Sequence, residues 1–203
     1  MSIEPYETLA PSPIGLDDVA LCDDEAALPH LPFHIQRDGT WLYRGTPIRR
    51  KAMLCLFASC LDRDQQGRYW LQTPTEAGII GVEDVPFLAV ELDFKGCSQR
   101  DQTLCLRTNL DEVFCIGEDH PLLCEWDRPA DVATVPYIHM RAGTGGQPIM
   151  ARISRAVLFE LAALAVPGCV AGEPCLGVWS RGMFFPLSRL PEEGCAEAEG
   201  VCG

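Results

Sequence analysis

No stretch of this 203-residue chain approaches the ~18 consecutive apolar residues of a membrane helix; its longest apolar runs are broken by Pro, Gly or charge. The opening Met1-Ser2-Ile3-Glu4-Pro5-Tyr6-Glu7 lacks the apolar core of a secretory signal, so a cytoplasmic location is expected and no membrane partner. Lys and Arg are missing from residues 1–30, which hold seven acids, and from 190–203, which hold four. The formal charge of −13 is therefore concentrated at the ends, and residues 31–189 carry 16 bases against 18 acids. Acidic ends repel long polyanions, which argues against a nucleic-acid polymer as partner, but a small anion can still enter a local basic pocket. No Cys-x2-Cys knuckle occurs among the eleven cysteines, so no zinc site is expected and the cysteines read as packing or surface thiols, with Cys169 and Cys175 as the candidate redox pair. Gly-x-Ser-x-Gly is absent, and Gly143-Thr144-Gly145-Gly146 lacks the spacing of a phosphate-binding fingerprint. Nothing calls for a cofactor, names a catalytic residue or sets an oligomeric state.

What is present is a repeated step. Gly45-Thr46-Pro47-Ile48 leads into Lys51-Ala52-Met53-Leu54, and Gly146-Gln147-Pro148-Ile149 leads into Arg155-Ala156-Val157-Leu158, each followed later by a Trp-containing strand. A helix is predicted over residues 50–61, with Met53, Leu56, Phe57 and Cys60 on its apolar stripe. A second is predicted over 155–166, capped by Ser154 and stopped at Pro167-Gly168.

Around these helices the pattern is strand-like. Asp38-Gly39 reads as a two-residue hairpin loop pairing Ile35 with Leu42 and His34 with Tyr43. Phe33, Ile35 and Leu42 then share an apolar face, and His34, Gln36, Trp41 and Tyr43 share the other, either packed under a helix or open as a stacking surface. The segment 87–94 alternates with Leu88, Val90, Leu92 and Phe94 inward. Residues 135–141 place Tyr137, His139 and Arg141 on one side and Ile138 and Met140 on the other. A hairpin around Asn109-Leu110-Asp111 and another around Arg181-Gly182, which sets Trp179 against Phe184, complete the set. Two helices among many antiparallel strands indicate an α+β fold of two similar small modules. The expected division is an acidic leader over 1–30, a first module over 31–78, a second over 79–189 and an acidic tail over 190–203.

The run Asp38-Gly39-Thr40-Trp41-Leu42-Tyr43-Arg44-Gly45-Thr46-Pro47-Ile48 resembles an uncharacterised bacterial family, that of domain of unknown function 1285. The likeness continues through Val82-Glu83-Asp84-Val85-Pro86-Phe87, Arg107-Thr108-Asn109, His120-Pro121-Leu122, Pro136-Tyr137 and Gly177-Val178-Trp179-Ser180. The resemblance implies two structurally repeated domains, the second pleckstrin-homology-like. It also implies a ligand site between them for a nucleotide-like molecule, and a role in signal transduction.

From the residues themselves, the candidate constellation is Arg107, Asn109, His120, Tyr137, His139 and Arg141, joined by Arg152 or Arg155 at the start of the second helix. Guanidinium forks suit phosphate or carboxylate, and Trp41, Tyr43 or Trp179 would stack on a planar group. The competing reading pairs these arginines with Glu83, Asp84, Glu91 and Asp111 as surface ion pairs. The expected function is non-catalytic binding of a small anionic, nucleotide-like ligand between the modules. The alternatives are a metal-dependent phosphoester hydrolase using Glu83, Asp84 and a histidine, and a protein-interaction or redox-responsive adaptor.

Overall fold

A computed structural model describes residues 29–190 apart from Cys97, Gln99 and 129–133. The leader and the tail expected at the two ends thus lie almost wholly outside the described residues. The first module contains β1 (His30–Ile35), β2 (Trp41–Tyr43), β3 (Thr46–Pro47), α1 (Lys51–Ser59), β4 (Leu61–Arg63), β5 (Tyr69–Gln72) and β6 (Ala77–Val82). Its strands form one sheet in the order β3-β2-β1-β6-β5-β4, antiparallel except for β1 against β6. The second module begins with β7 (Phe87–Lys95), β8 (Thr103–Thr108), β9 (Val113–Cys115), β10 (Leu122–Leu123), β11 (Tyr137–Ala142) and β12 (Pro148–Ile153). These make a sheet ordered β10-β11-β12-β7-β8-β9, again with one central parallel pair, β12 against β7. Helix α2 (Arg155–Ala163) follows, then a three-stranded sheet of β13 (Val166–Val170), β14 (Glu173–Ser180) and β15 (Met183–Arg189). The fold is α+β with two similar modules. The boundary expected after residue 78 falls inside β6, all of which belongs to the first sheet; the modules meet over residues 83–86.

The repeated Gly-x-Pro-Ile step performs the same task twice. Gly45 (φ +77) and Gly146 (φ +75) close the β2–β3 and β11–β12 turns in the left-handed region that glycine adopts without strain, and the Pro-containing strand then feeds the helix. Ser154 caps α2 by accepting the Val157 N–H at 3.3 Å, as its sequence position predicts. Val157 and Leu161 of that helix are fully buried. Helix α2 ends at Ala163 rather than at Pro167-Gly168, because those two residues belong to β13. One apolar core runs through both modules, from Ile35, Trp41 and Leu71 to Phe87, Ile138 and Val178. The third sheet is fastened to it by Ser180, whose buried hydroxyl donates to Ile116 O at 2.7 Å and accepts the Leu104 N–H at 3.0 Å.

Three expectations about which face a side chain takes are corrected. The Asp38-Gly39 loop has three residues, not two: the Gln36 N–H donates to Thr40 O at 2.9 Å and Gly39 lies at φ +83. Register therefore moves by one, pairing Ile35 with Trp41 and Phe33 with Tyr43. A one-residue slip exchanges the two faces of a strand, so Trp41 is in the core at 1% exposure and is not a stacking surface. In β7 it is Phe87 and Ala89 that are buried, whereas Phe94 is 56% exposed. On α1 the stripe predicted for the core is split: Phe57 and Cys60 pack against the core, whereas Met53 and Leu56 are 39% and 60% exposed, and the one fully buried helix residue is Ala58.

The cysteine expectation is corrected at one pair. Cys105 and Cys115 are directly opposed in the β8–β9 register, with Cα atoms 3.9 Å apart, and are joined by a disulfide. Cys55, Cys60, Cys124 and Cys169 are free thiols. Cys169 and Cys175 lie on the adjoining strands β13 and β14, one register position apart.

Candidate functional site

The exposed part of the α1 stripe at Met53 has a counterpart across a gap. Tyr43 at the end of β2 packs against Phe33 with ring centroids 4.9 Å apart, and Phe33 meets Phe57 of α1 edge-on at 4.9 Å. These rings, with Ile48 and Met53, wall a cleft of about 540 Å³ between α1 and the β1–β3 ribbon. Arg49 and Arg50 line it at the start of α1, and Thr73, Thr75 and Glu76 line it from the β5–β6 turn. Arg50 occupies the N-cap position without a side-chain cap bond, and the first turn holds no acid. The positive end of the helix dipole thus lies beside two guanidinium groups, with the Asp111 carboxylate paired to Lys51 at the helix's first residue. Arg44 extends this basic lip, lying 5.3 Å over the Tyr43 ring.

Of the residues singled out from sequence, Tyr43 alone lines this cleft. The others do not converge. Arg107 pairs with Glu91 at 2.9 Å on the exposed face of the β7–β8 pair. Asn109 is structural: its Oδ1 accepts the Leu88 N–H at 3.2 Å, and its Nδ2 donates to Gly39 O at 3.2 Å, holding the first module's turn against the second. His120 Nδ1–H donates to His139 O and its ring meets Phe114 edge-on; His139 Nδ1–H donates to Asp119 O. Arg155 lies over the Phe159 ring. Trp179 is held between Phe184, as its hairpin predicts, and Arg100.

Arg141 is redirected by a bulge. His139 pairs with Met150, yet Arg141 pairs with Ile149, the adjacent residue of β12, so Arg141 takes the opposite face from His139. That face is the buried one, where Ile149 and Ala151 sit. From it the Arg141 Nη2 donates to Ala58 O and Leu61 O, both at 3.0 Å, at the carbonyl end of α1. Ala89 and Thr108 are buried opposite one another, so Arg107, next along β8, points away. The two arginines expected in one cleft therefore occupy opposite faces of the second sheet.

Tyr137 and Arg152 do come together, but around a carboxylate. Tyr137 OH donates to Asp84 at 3.1 Å, and the Arg152 and Arg37 Nε atoms lie 3.8 and 3.9 Å from Asp84 Oδ2. Glu83 turns the other way, accepting from His34 Nε2 at 3.0 Å and from the Arg37 N–H at 2.8 Å. The junction between the modules is thus filled by its own ion pairs. Among the described residues no group of three or more His, Cys, Asp and Glu side chains could hold a metal ion. No described helix is long and apolar enough to cross a membrane.

Charge states at the junction are biased in known directions. The hydrogen bond from His34, then that from the Arg37 N–H, lowers the Glu83 pKa. Burial, then the Asp84 charge, raises Tyr137, and burial raises Tyr69. For these phenols the unfolded chain ionises first, so stability is held at lower pH and lost above it. Burial raises the free Cys124 thiol in the same sense, so the urea midpoint is expected to begin falling above about pH 8.5, where a free thiol ionises, and to fall further beyond about pH 10, where free tyrosine does. Tyr137→Phe should reduce that alkaline loss.

Sequence reasoning missed Arg49, Arg50, Met53 and Phe57 as site residues. Their signal is a basic doublet directly before a nine-residue helix, Lys51–Ser59, too apolar to be satisfied by one buried stripe.

Fold and cleft together define a two-module α+β protein whose first module carries an apolar cleft with a basic lip. The chain belongs to the DUF1285 family. The domain of unknown function (DUF1285), N-terminal domain, matches residues 26–85, and the protein of unknown function (DUF1285), C-terminal domain, matches residues 86–187. Among solved structures it is similar to a DUF1285 family protein from Silicibacter pomeroyi DSS-3, with 36% identity, a TM-score of 0.66, and coverage of 80% of this chain and 84% of that one. Another similar structure is a DUF1285 family protein from Shewanella baltica OS155, with 24% identity, a TM-score of 0.46, and coverage of 66% of this chain and 91% of that one. Comparison with curated proteins gives no match.

Proposed function

We propose that this protein is a cytoplasmic, non-catalytic binding protein for a small ligand with a planar or apolar body and an anionic group, a nucleotide-like molecule among them, held in the first module's cleft. The observation that carries this reading is the cleft itself: ring and thioether walls ending at Arg49 and Arg50. An apolar body gains from leaving water against Phe33, Met53 and Phe57. The anion is met by guanidinium forks at the N-terminal end of α1. The junction at Asp84 is a poorer receptor, since an entering anion would have to displace a resident carboxylate from Arg37 and Arg152.

Two probes test this on the folded full chain: 8-anilinonaphthalene-1-sulfonate, which has the expected shape and charge, and adenosine monophosphate. Saturable one-site binding of at least one is expected, with Arg50→Ala weakening it about tenfold, the loss of one modest charge-assisted contact. Arg107→Ala should leave it unchanged. Binding insensitive to Arg49, Arg50 and Tyr43, or no saturable binding of either probe, would overturn the proposal.

A further inference from the structure

We infer that the Cys105–Cys115 pair is a site of reversible thiol–disulfide exchange, and that its state decides how firmly the β8–β9 hairpin grips α1. The bond lies where a small thiol can reach it. Cys105 and Cys115 are both half-buried, and Cys105 lines a recess of about 80 Å³ with Glu91, Asp93, Arg107 and Val113 on the outer face of the second sheet. It also lies where little else holds the strand. β9 is an edge of that sheet, with β8 as its ladder partner. On the neighbouring rung the Ile116 N–H donates to Leu104 O at 2.8 Å, so Cys105 and Cys115 oppose one another on a rung of the non-hydrogen-bonded kind. The covalent bond is the link between the strands there.

The tip of this hairpin is built into the first module. Asn109 Nδ2 donates to Gly39 O at 3.2 Å, the Cys55 thiol donates to Leu110 O at 3.8 Å, and Asp111 pairs with Lys51, the first residue of α1. Each loop residue thus meets a different part of the other module: the β1–β2 turn, the middle of α1 and its start. Asp111 is held at φ 65, a left-handed conformation that persists where the surrounding structure enforces it. The disulfide closes the hairpin below the Leu106–Phe114 and Arg107–Val113 rungs, and so keeps the strands in the register that aligns all three contacts. Opening it leaves the short edge strand Val113–Cys115 with ladder pairing alone.

The exchange balances with thiols as the sole co-reactant. A thiolate attacks Cys105 Sγ, the Sγ–Sγ bond breaks, and Cys115 leaves as a thiolate; a second thiol attacks the mixed disulfide, and Cys105 leaves in the same way. The external thiols are oxidised to a disulfide, and their protons end on Cys105 and Cys115. Glutathione disulfide reverses the sequence. The cytoplasmic location proposed above supplies such thiols, and the inference rests on that reading for this supply alone. Disulfides in that compartment are usually transient and redox-sensing.

The test uses the purified full chain. After equilibration in a glutathione buffer of cytosolic poise, quenched alkylation and peptide mapping should find more than about one tenth of the Cys105–Cys115 pair reduced, where a structural disulfide stays oxidised. Hydrogen exchange read by mass spectrometry then compares the oxidised chain, the dithiothreitol-reduced chain and the Cys105→Ser/Cys115→Ser variant. Both open forms should exchange at least about threefold faster over residues 109–116 and 51–57, with residues 173–189 unchanged. A pair that stays oxidised in the buffer, or exchange over 51–57 that is the same in all three forms, would overturn the inference. So would equal acceleration along the whole chain, the sign of a bond that only adds stability. These readouts involve no cleft ligand, so their failure leaves the binding reading intact, and failure of both probes to bind leaves the redox inference standing.

Discussion

Replacing Trp41 with alanine is expected to cost about 3 to 5 kcal/mol of folding stability, the range for emptying a large aromatic site in a packed core. The side chain is 1% exposed and belongs to the core shared by both modules. Relaxation around the vacancy is limited, because Ile35, paired with Trp41 across the β1–β2 ladder, is itself fully buried. The indole Nε1 has no hydrogen-bond partner, so Trp41→Phe removes a buried unsatisfied donor as well as volume. That relief offsets part of the lost packing, and a cost below about 2 kcal/mol is expected for Trp41→Phe. Urea unfolding of the two variants measures the difference. The folded fraction should retain the parent affinity for the naphthalene sulfonate probe. A small stability loss combined with lost binding would return Trp41 to the ligand-facing side on which a two-residue loop would have placed it.

That contrast shows where sequence was readable. The Arg181-Gly182 hairpin pairs Trp179 with Phe184 as its spacing predicts, because Arg181 (φ 53) and Gly182 (φ 74) form a two-residue loop with both centres left-handed. Asp38-Gly39 carries an equally strong turn signal, yet Arg37 joins the loop, and the choice between two and three residues inverts every following side chain. The tertiary contacts decide it: Asn109 Nδ2 reaches Gly39 O from the second module, a contact separated by seventy positions that no local pattern reports. Alternation in β11 predicted the burial of Ile138 and Met140 correctly and then failed at Arg141, where the bulge intervenes. The two central parallel pairings are likewise non-local. Periodicity supplied the α+β class and both helices, and a cap at Ser154 supplied the start of α2. The cleft did not appear in the sequence because it arises where α1 leaves Met53 uncovered beside a ribbon, and periodicity alone reads the whole stripe as core.

The same displacement of Arg141 sets the ordering expected of the two arginines. Arg141→Ala removes two charge-assisted hydrogen bonds to carbonyls at the end of α1, and leaves Ala58 O and Leu61 O to find other partners in a half-buried site. A loss of about 1.5 to 3 kcal/mol is expected, since such bonds to a charged donor exceed neutral ones. Arg107→Ala breaks an exposed pair with Glu91 and should cost under about 1 kcal/mol. The two losses should add in the double variant, because the side chains occupy opposite faces of the sheet and share no partner. Arg141→Lys should recover only part of the loss, as an ammonium group cannot reproduce the planar guanidinium's fixed approach to two carbonyls. Urea unfolding of the four variants gives all of these quantities, and titration with the probe should find the affinity unchanged throughout. Coupled losses in probe affinity, with stability unaffected, would place both guanidinium groups on one anion and contradict the bulge that separates them.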